Sequence, residues 1–229
     1  MKTASFTALA LFALCGANAA APTGTDARAQ ELIRELNLHV LPKESGYLGL
    51  IGESAQKTTI DGRPLAIQSQ VYYMLTRDRP INYLHWLAPD DTHILIEGGP
   101  VDYFIFHPDG KVEKIVLGRD VAHGERPLVA VPGGCWKALK LHDGVNYALM
   151  ANALSPEFTP DRVHIGAGPA WIARFQSKAP WDTAKMLREL IGPNWIEKEY
   201  RGLLSRAFQS TGVTNGLTQA RPRESFYRM

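Results

Sequence analysis

The sequence has few cysteines, no marked excess of either charge and no long apolar run. Its 229 residues contain 25 Lys and Arg against 23 Asp and Glu, which leaves a formal net charge of +2. No stretch is dense enough in Lys and Arg to neutralise a run of phosphates, so the composition argues against nucleic-acid binding. The apolar run from Ala8 to Leu14 is shorter than the about 20 residues that a transmembrane helix needs. We therefore expect no membrane span.

The N-terminal segment has the pattern of a secretory signal peptide. Lys2 precedes the apolar run, and small residues follow it at positions 16–20. A charged start, a short apolar centre and an Ala-x-Ala site predict cleavage after Ala19. We expect residues 1–19 to be removed and the mature protein to be secreted, or periplasmic if the source is bacterial. The alternative is a buried N-terminal helix.

Cysteine is nearly absent from the mature chain. Of the two cysteines, Cys15 lies in the predicted signal peptide, so Cys135 has no partner for an intramolecular disulfide. Stability must then come from a packed core. An isolated Cys within an apolar run is typical of a small buried hydrophobe, with a catalytic thiol as the alternative.

The mature chain begins with one helix and then changes to short segments of period two. Apolar residues at 29, 32, 33 and 36 predict a helix from Asp26 to Leu36, capped by Thr25 or Asp26. Turn signals separate the following segments every 8–12 residues and leave no room for helices between them, which predicts an all-β sandwich or barrel. The nine predicted strands are 47–51, 66–75, 83–87, 93–96, 103–106, 112–117, 128–131, 136–141 and 147–151.

The C-terminal region returns to a helical pattern. Asp182 is a plausible cap for a helix whose apolar face includes Met186 and Leu190, and Gly192-Pro193 ends that helix. A second helix is predicted from Trp195 to Phe208. We expect a barrel with its N-terminal helix over residues 20–175, a helical extension over 176–208 and a mobile tail over 209–229, with a docked C-terminal segment as the alternative to the tail.

Chemically active side chains occur on two of the predicted strands. Tyr83 and His85 are two residues apart, so they are expected to share the face that lines the barrel interior. Asp91 follows six residues after His85. A second strand begins at Pro132-Gly133-Gly134-Cys135-Trp136 and carries Lys137.

An ordered series of motifs from Leu36 to Ile165 resembles the cupin superfamily, most closely its fifth family. The resemblance implies a double-stranded β-helix jelly roll, commonly a homodimer, with a small-molecule pocket inside the barrel. The motifs that carry it are Leu41-Pro42 with Gly46-Tyr47, Tyr72-Tyr73-Met74-Leu75, His85-Trp86-Leu87, Asp90-Asp91, His107-Pro108-Asp109-Gly110-Lys111-Val112, Leu117-Gly118, Gly124-Glu125-Arg126-Pro127, Val131-Pro132-Gly133-Gly134-Cys135-Trp136 and Tyr147-Ala148-Leu149.

Metal-binding cupins supply two His, a Glu and a further His at positions that read here as Tyr83, His85, Asp91 and Lys137. A charged Lys has no lone pair to donate, and Tyr is an unusual ligand. We therefore expect no cofactor, with a divalent metal at His85 and Asp91 as the disfavoured alternative. His93 and Glu97 could replace the lost ligands if the strand alternation continues unbroken past the Pro89-Asp90 turn.

Without a metal, the chemistry open to these residues is acid–base catalysis, as in the deoxysugar epimerases that share this fold. In this hypothesis His85 takes a proton beside a carbonyl, Asp91 orients the imidazole, Tyr83 returns a proton and Lys137 stabilises an enolate. Each residue also has a structural alternative, as a core side chain or a solvated turn. His93 and four aromatic residues are the candidate ligand-binding wall: Tyr73, Tyr103, Trp136 and Tyr147.

Three functions stay open at this point. The first is an isomerase, epimerase or cyclase acting on a sugar derivative or a natural-product intermediate. The second is a binding or storage-like cupin without catalysis, and the third is a metal-dependent oxygenase. One fold hosts many reactions, so the resemblance indicates fold more strongly than function.

Overall fold

A computed structural model describes residues 25–197. The predicted signal peptide, the tail over 209–229 and the part of the last predicted helix beyond residue 197 lie outside the described residues. Within 25–197, no helix is long and apolar enough to cross a membrane. The first helix, α1, extends over Thr25–Glu35 and confirms the N-terminal helix prediction.

Two antiparallel sheets form the body of the protein, as the jelly-roll prediction requires. One sheet has the strand order β1-β2-β5-β12-β7-β10 and the other β13-β6-β11-β8-β9, and β3 pairs with β4 in a separate hairpin. The strands are β1 His39–Val40, β2 Tyr47–Glu53, β3 Lys57–Ile60, β4 Arg63–Ala66, β5 Ser69–Thr76, β6 Ile81–Leu87, β7 Asp90–Gly98, β8 Val101–Phe106, β9 Val112–Leu117, β10 Leu128–Val131, β11 Trp136–Leu141, β12 Tyr147–Ser155 and β13 Val163–Ile165.

All nine predicted strands are present, and the sequence patterns missed four short ones: β1, β3, β4 and β13. Each missed strand has at most four residues, of which only one or two are Val, Ile, Leu or Ala, whereas the equally short β10 consists entirely of such residues. The resemblance to the cupin jelly roll is thus confirmed at the level of fold.

The inner faces of the two sheets meet in one apolar core, which includes Leu75, Tyr103, Leu139 and Met150. Cys135 belongs to this core and is 3% exposed. Burial raises the pKa of its thiol to about 11, so the thiol stays protonated near neutral pH. The observation agrees with the interpretation of Cys135 as a small buried hydrophobe.

Two helices cover the outer face of the five-stranded sheet. They are α2, Pro169–Phe175, and α3, Ala184–Ile191. Trp171 of α2 is fully buried there, against Phe106 and Trp136. Helix α2 was missed by the sequence analysis, because seven residues contain too few turns to establish a helical period.

The start of α3 differs from its prediction. The hydroxyl oxygen of Thr183 accepts the N–H of Met186 at 3.2 Å, so Thr183 is the cap. Asp182 instead is buried and accepts the backbone N–H groups of Lys178 and Ala179. The assignment of Asp182 as the cap was wrong by one residue. The helix predicted from Trp195 does not begin there, because residues 195–197 are not helical.

Helix α1 covers part of the outer face of the six-stranded sheet. Leu32 packs there with Met74 and Leu149. The guanidinium of Arg28 donates to both carboxylate oxygens of Glu97, at 2.9 and 2.8 Å. This bidentate pair fastens the helix to β7.

Candidate functional site

A cavity of about 450 Å³ opens between the two sheets, beside the apolar core. Its innermost lining is polar and buried, and includes Asn82, His85 and Asp91, each no more than 3% exposed. Its outer lining includes Leu50 and Phe158, which are 85% and 43% exposed. We call the buried polar end the floor and the exposed end the mouth.

His85 lies on β6 at the floor, and its ring is oriented by the backbone. Its Nδ1 is 2.9 Å from the carbonyl oxygen of Tyr83. A carbonyl oxygen can only accept, so Nδ1 carries the hydrogen and Nε2 has the lone pair. Burial lowers the pKa of His85, the charge of Glu44 opposes that shift, and Lys137 adds to it. The neutral imidazole is therefore favoured, with a basic nitrogen toward Glu44.

Glu44 is the carboxylate that lies beside His85, with its Oε2 3.7 Å from Nε2. It is on the loop before β2, and the backbone of that loop is fixed at several points. The carbonyl oxygen of Glu44 accepts the N–H of Tyr83 at 2.8 Å, and that of Ser45 accepts the Tyr73 hydroxyl at 2.8 Å. Next to it, Gly46 has φ +74° and a Cβ there would stand 2.4 Å from the Tyr73 oxygen, so only glycine fits.

Glu44 has no role in the hypothesis drawn from the sequence. The expectation that Asp91 orients His85 is wrong, because Asp91 contacts other groups. Asp91 forms an ion pair with Lys137, accepts a hydrogen bond from Asn152, and lies 3.6 Å from His93 Nδ1. The one feature of the sequence that could have indicated Glu44 is its position within the Leu41-Pro42 to Gly46-Tyr47 motif.

Lys137 points into the barrel, where its side chain is 1% exposed and contacts the Asp91 carboxylate. Burial lowers the pKa of Lys137, and the charge of Glu44 opposes that shift. Contact with a carboxylate favours the ammonium form. The floor thus contains a cation held by a carboxylate, rather than a cation free to bind a ligand.

Tyr83 does not share the cavity with His85. The pairing of β6 with β11 shifts register between Lys137 and Leu139, so that His85 lies opposite Lys137 while Asn82 lies opposite Leu139. Such a bulge breaks the two-residue alternation. Asn82 and His85 consequently line the cavity, whereas the ring of Tyr83 lies beside Gly192 outside it. The expectation that Tyr83 and His85 face together is wrong for this reason.

Two of the expected aromatic wall residues also lie elsewhere. Trp136 packs on the outer face of its sheet against Trp171, with ring centroids 6.1 Å apart. The hydroxyl of Tyr147 donates to Glu97 under α1. Tyr73 and His93 line the cavity, and the Tyr103 hydroxyl is 3.0 Å from His93 Nδ1 in the core behind it.

Glu97 is not available as a replacement ligand. A second register shift, between Leu149 and Met150 of β12, separates the pairing of Glu97 from that of Leu95 on β7. The shift turns Glu97 to the outer face, where it binds Arg28. The two-residue alternation that turns His85 and His93 toward the cavity therefore ends before Glu97.

The residues at the metal-binding cupin positions do not fit a divalent metal. Tyr83 is outside the cavity, and the ammonium of Lys137 lies against the one carboxylate of the set, Asp91. An ammonium in contact with that carboxylate repels a second cation. Among residues 25–197, no group of three or more His, Cys, Asp and Glu side chains is arranged to hold a metal ion.

Burial of His93 makes the free energy of unfolding depend on pH. Burial, with a smaller contribution from His85, lowers its pKa from 6.5 to about 3. The unfolded chain therefore binds a proton between pH 6.5 and 3 that the folded chain does not, so stability is lost as the pH falls through that range. Between pH 6.5 and 5 the loss from this group is about 2 kcal/mol.

Urea unfolding at pH 6.5 and pH 5 tests this expectation. In His93→Asn the decrease in unfolding free energy between the two pH values should be smaller than in the wild type by that amount. The matched control is His39→Asn, at an exposed side chain on β1, which should decrease like the wild type. Equal decreases in all three proteins would show that His93 is not held neutral.

Comparison with known proteins agrees with the fold. A family model described as the cupin superfamily (DUF985) matches residues 30–165. An uncharacterized protein of Saccharomyces cerevisiae is 40% identical over 68 residues, which are 30% of this chain and 33% of the yeast protein. The match thus spans about a third of that relative's length.

Two solved structures are similar over most of their own length. A hypothetical protein from Leishmania major superposes with a TM-score of 0.61 at 24% identity, covering 71% of this chain and 97% of its own. A protein from Shewanella oneidensis gives 0.57 at 22% identity, covering 74% and 98%. At these identities the similarity shows the fold alone.

Proposed function

This chain belongs to the fifth cupin family (DUF985) of the cupin superfamily, and from that premise we propose that it binds a small carbonyl-bearing molecule in its barrel and moves a proton beside the carbonyl. The observation that supports the proposal is the pair formed by Glu44 and His85 at the cavity floor, 3.7 Å apart and 3% exposed at the histidine. The Tyr83 carbonyl oxygen fixes the hydrogen on Nδ1, which leaves Nε2 with the lone pair that a general base needs. Glu44 lies close enough to Nε2 to stabilise the charge that it gains on protonation.

In the proposed reaction, His85 Nε2 takes a proton from the carbon next to the carbonyl. The C–H electron pair forms the C=C bond of an enolate, and the carbonyl π pair moves to oxygen. The Glu44 carboxylate stabilises the imidazolium that results. The buried Asn82 amide donates to the Glu44 carbonyl oxygen at 3.3 Å and also bonds the Tyr73 hydroxyl, so it holds the Glu44 loop against the floor of the cavity.

The position of Tyr83 narrows the class of reaction. A two-base epimerisation needs an acid on the opposite face of the substrate, which was the role expected of Tyr83. Because that ring lies beside Gly192, we propose that His85 itself returns the proton. This favours an isomerase that shifts a proton along one face of an enolate over an epimerase.

Exchange of α-protons for deuterium tests the proposal. The full-length protein is incubated with 2-butanone in deuterated water, and loss of the α-proton signal is followed by NMR. We expect the wild type to catalyse exchange and Glu44→Gln to be slower by at least about tenfold, since an uncharged amide no longer stabilises the imidazolium. The matched control Glu35→Gln, at an exposed helix position, should exchange like the wild type.

Wild-type protein that binds 2-butanone without catalysing exchange would contradict the acid–base proposal and leave the binding cupin as the function.

Secretion after cleavage at Ala19 and a homodimeric state remain predictions of the sequence and of the resemblance. The predicted signal peptide, residues 1–19, lies outside the residues that the structure describes.

A further inference from the structure

The wall of the cavity between floor and mouth is mainly apolar. It includes four aliphatic side chains, Leu48, Val71, Leu87 and Leu154, which we call the collar, and beside them the polar residues Ser69, Gln70 and Asn152. Leu87 and Leu154 are each 7% exposed, and Leu48 and Val71 are half-buried. A ligand that reaches Glu44 and His85 therefore places much of its remaining surface against apolar side chains.

The apolar surface continues outward from the collar. Leu50 and Phe158 line the mouth and are 85% and 43% exposed. Leu50 is opposite Val71 in the β2–β5 pairing, so collar and mouth adjoin on the same two strands. Exposed apolar side chains that continue the apolar lining of a cavity are typical of a ligand-binding surface.

A sugar is a poor match to this distribution. Its hydroxyl groups are spread along the whole carbon chain, and those that face the four aliphatic side chains of the collar would lose water without gaining a partner from them, at a cost for each buried hydroxyl. A molecule with a single polar end has no hydroxyl group at the collar to lose its water, and the burial of each methylene there favours binding.

We infer that the substrate is an amphipathic carbonyl compound, with one carbonyl end at the Glu44–His85 floor and an alkyl or other apolar body in the collar and mouth, rather than a sugar derivative. The inference rests on the proposed function for the placement of the carbonyl end. It replaces the open choice between a sugar and a natural-product intermediate by one chemical class.

A homologous series of ketones tests the inference on the full-length protein. Dissociation constants of 2-butanone, 2-pentanone, 2-hexanone, 2-heptanone and L-erythrulose are measured by ligand-observed NMR. We expect affinity to rise about fourfold for each added methylene. L-Erythrulose is a keto sugar with the same four carbons as 2-butanone and a free ketone, and it should bind more weakly than 2-butanone. Affinity independent of chain length, or erythrulose binding as tightly as 2-butanone, would overturn the inference.

Two isosteric variants locate the effect. Val71→Thr keeps the shape of the collar and adds a hydroxyl, so it should weaken 2-heptanone by about threefold to tenfold while leaving 2-butanone nearly unchanged. Val121→Thr, at a side chain 57% exposed, makes the same change outside the cavity and should bind like the wild type. Equal weakening of short and long ketones in Val71→Thr would contradict the placement of the chain.

The ketone series measures binding and not proton transfer, so its outcome is separate from that of the proposed function. Chain-length dependence without α-proton exchange supports the amphipathic ligand and overturns the catalytic role. Exchange with a preference for erythrulose overturns the amphipathic ligand and leaves the Glu44–His85 base in place.

Discussion

Replacing His85 with Gln is expected to lower the rate of α-proton exchange of 2-butanone by about 10²–10⁴-fold, the range that a positioned general base contributes. Gln retains a side-chain N–H that can donate to the Tyr83 carbonyl oxygen, as Nδ1 of His85 does at 2.9 Å. It has no basic nitrogen, so the variant keeps the local contact and loses the base. The measurement is NMR of the α-protons in deuterated water with full-length protein.

The matched control for this variant is His123→Gln. His123 is 82% exposed and lies in a turn after β9, so its replacement should leave exchange at the wild-type rate. Urea unfolding of both variants establishes that they are folded under the assay conditions. If folded His85→Gln retains the wild-type rate, the base is another group and the proposed function is wrong.

Replacing Lys137 with Met is expected to lower the free energy of unfolding by about 3–5 kcal/mol, because it leaves the Asp91 carboxylate buried without its cation. Both side chains are buried, at 1% and 2% exposure. Met has a similar length and apolar character, so the loss comes from the charge rather than from a void. Urea unfolding at neutral pH measures the change.

Two further variants isolate the ion pair. Lys140→Met breaks a surface pair with Glu189 and should cost less than about 1 kcal/mol. The double variant Lys137→Met/Asp91→Leu removes both charges and should recover most of the stability lost by Lys137→Met alone. A double variant no more stable than the single one would contradict the assignment of the loss to an unpaired Asp91.

The fold could be predicted from the sequence because its signals are local. Alternation along the strands and turn residues between them identify nine strands, and each is present. The N-terminal helix follows from its periodicity. The residues of the ordered cupin motifs then select the jelly roll among all-β folds. What the pattern missed is short: strands of two to four residues and the seven-residue helix α2.

The site was less predictable, because strand alternation determines which side chains enter the barrel and bulges interrupt it, two of them beside candidate site residues. The shift between Lys137 and Leu139 moves Tyr83 out and brings Asn82 in. The shift beside Glu97 turns that residue to the outer face. A bulge adds one residue to one strand and leaves little trace in composition, so neither displacement could be read from the sequence.

Two other errors have simpler causes. Trp136 and Lys137 are adjacent on β11, so alternation allows only one of them inside, and it is the charged residue that enters. Glu44 was missed because it lies on a loop, 41 residues before His85 in the numbering, and approaches it only when the loop before β2 folds against β6. Such a long-range contact has no periodic signal.

The central claim is that Glu44 and His85 act as one unit on a ligand in the cavity. The direct test is a double-mutant cycle on the α-proton exchange of 2-butanone, with Glu44→Gln, His85→Gln and the combined variant. If Glu44 acts through the imidazole, the combined variant should be no slower than His85→Gln alone. If Glu44→Gln slows exchange by the same factor with and without His85, the two residues act independently and the account is contradicted.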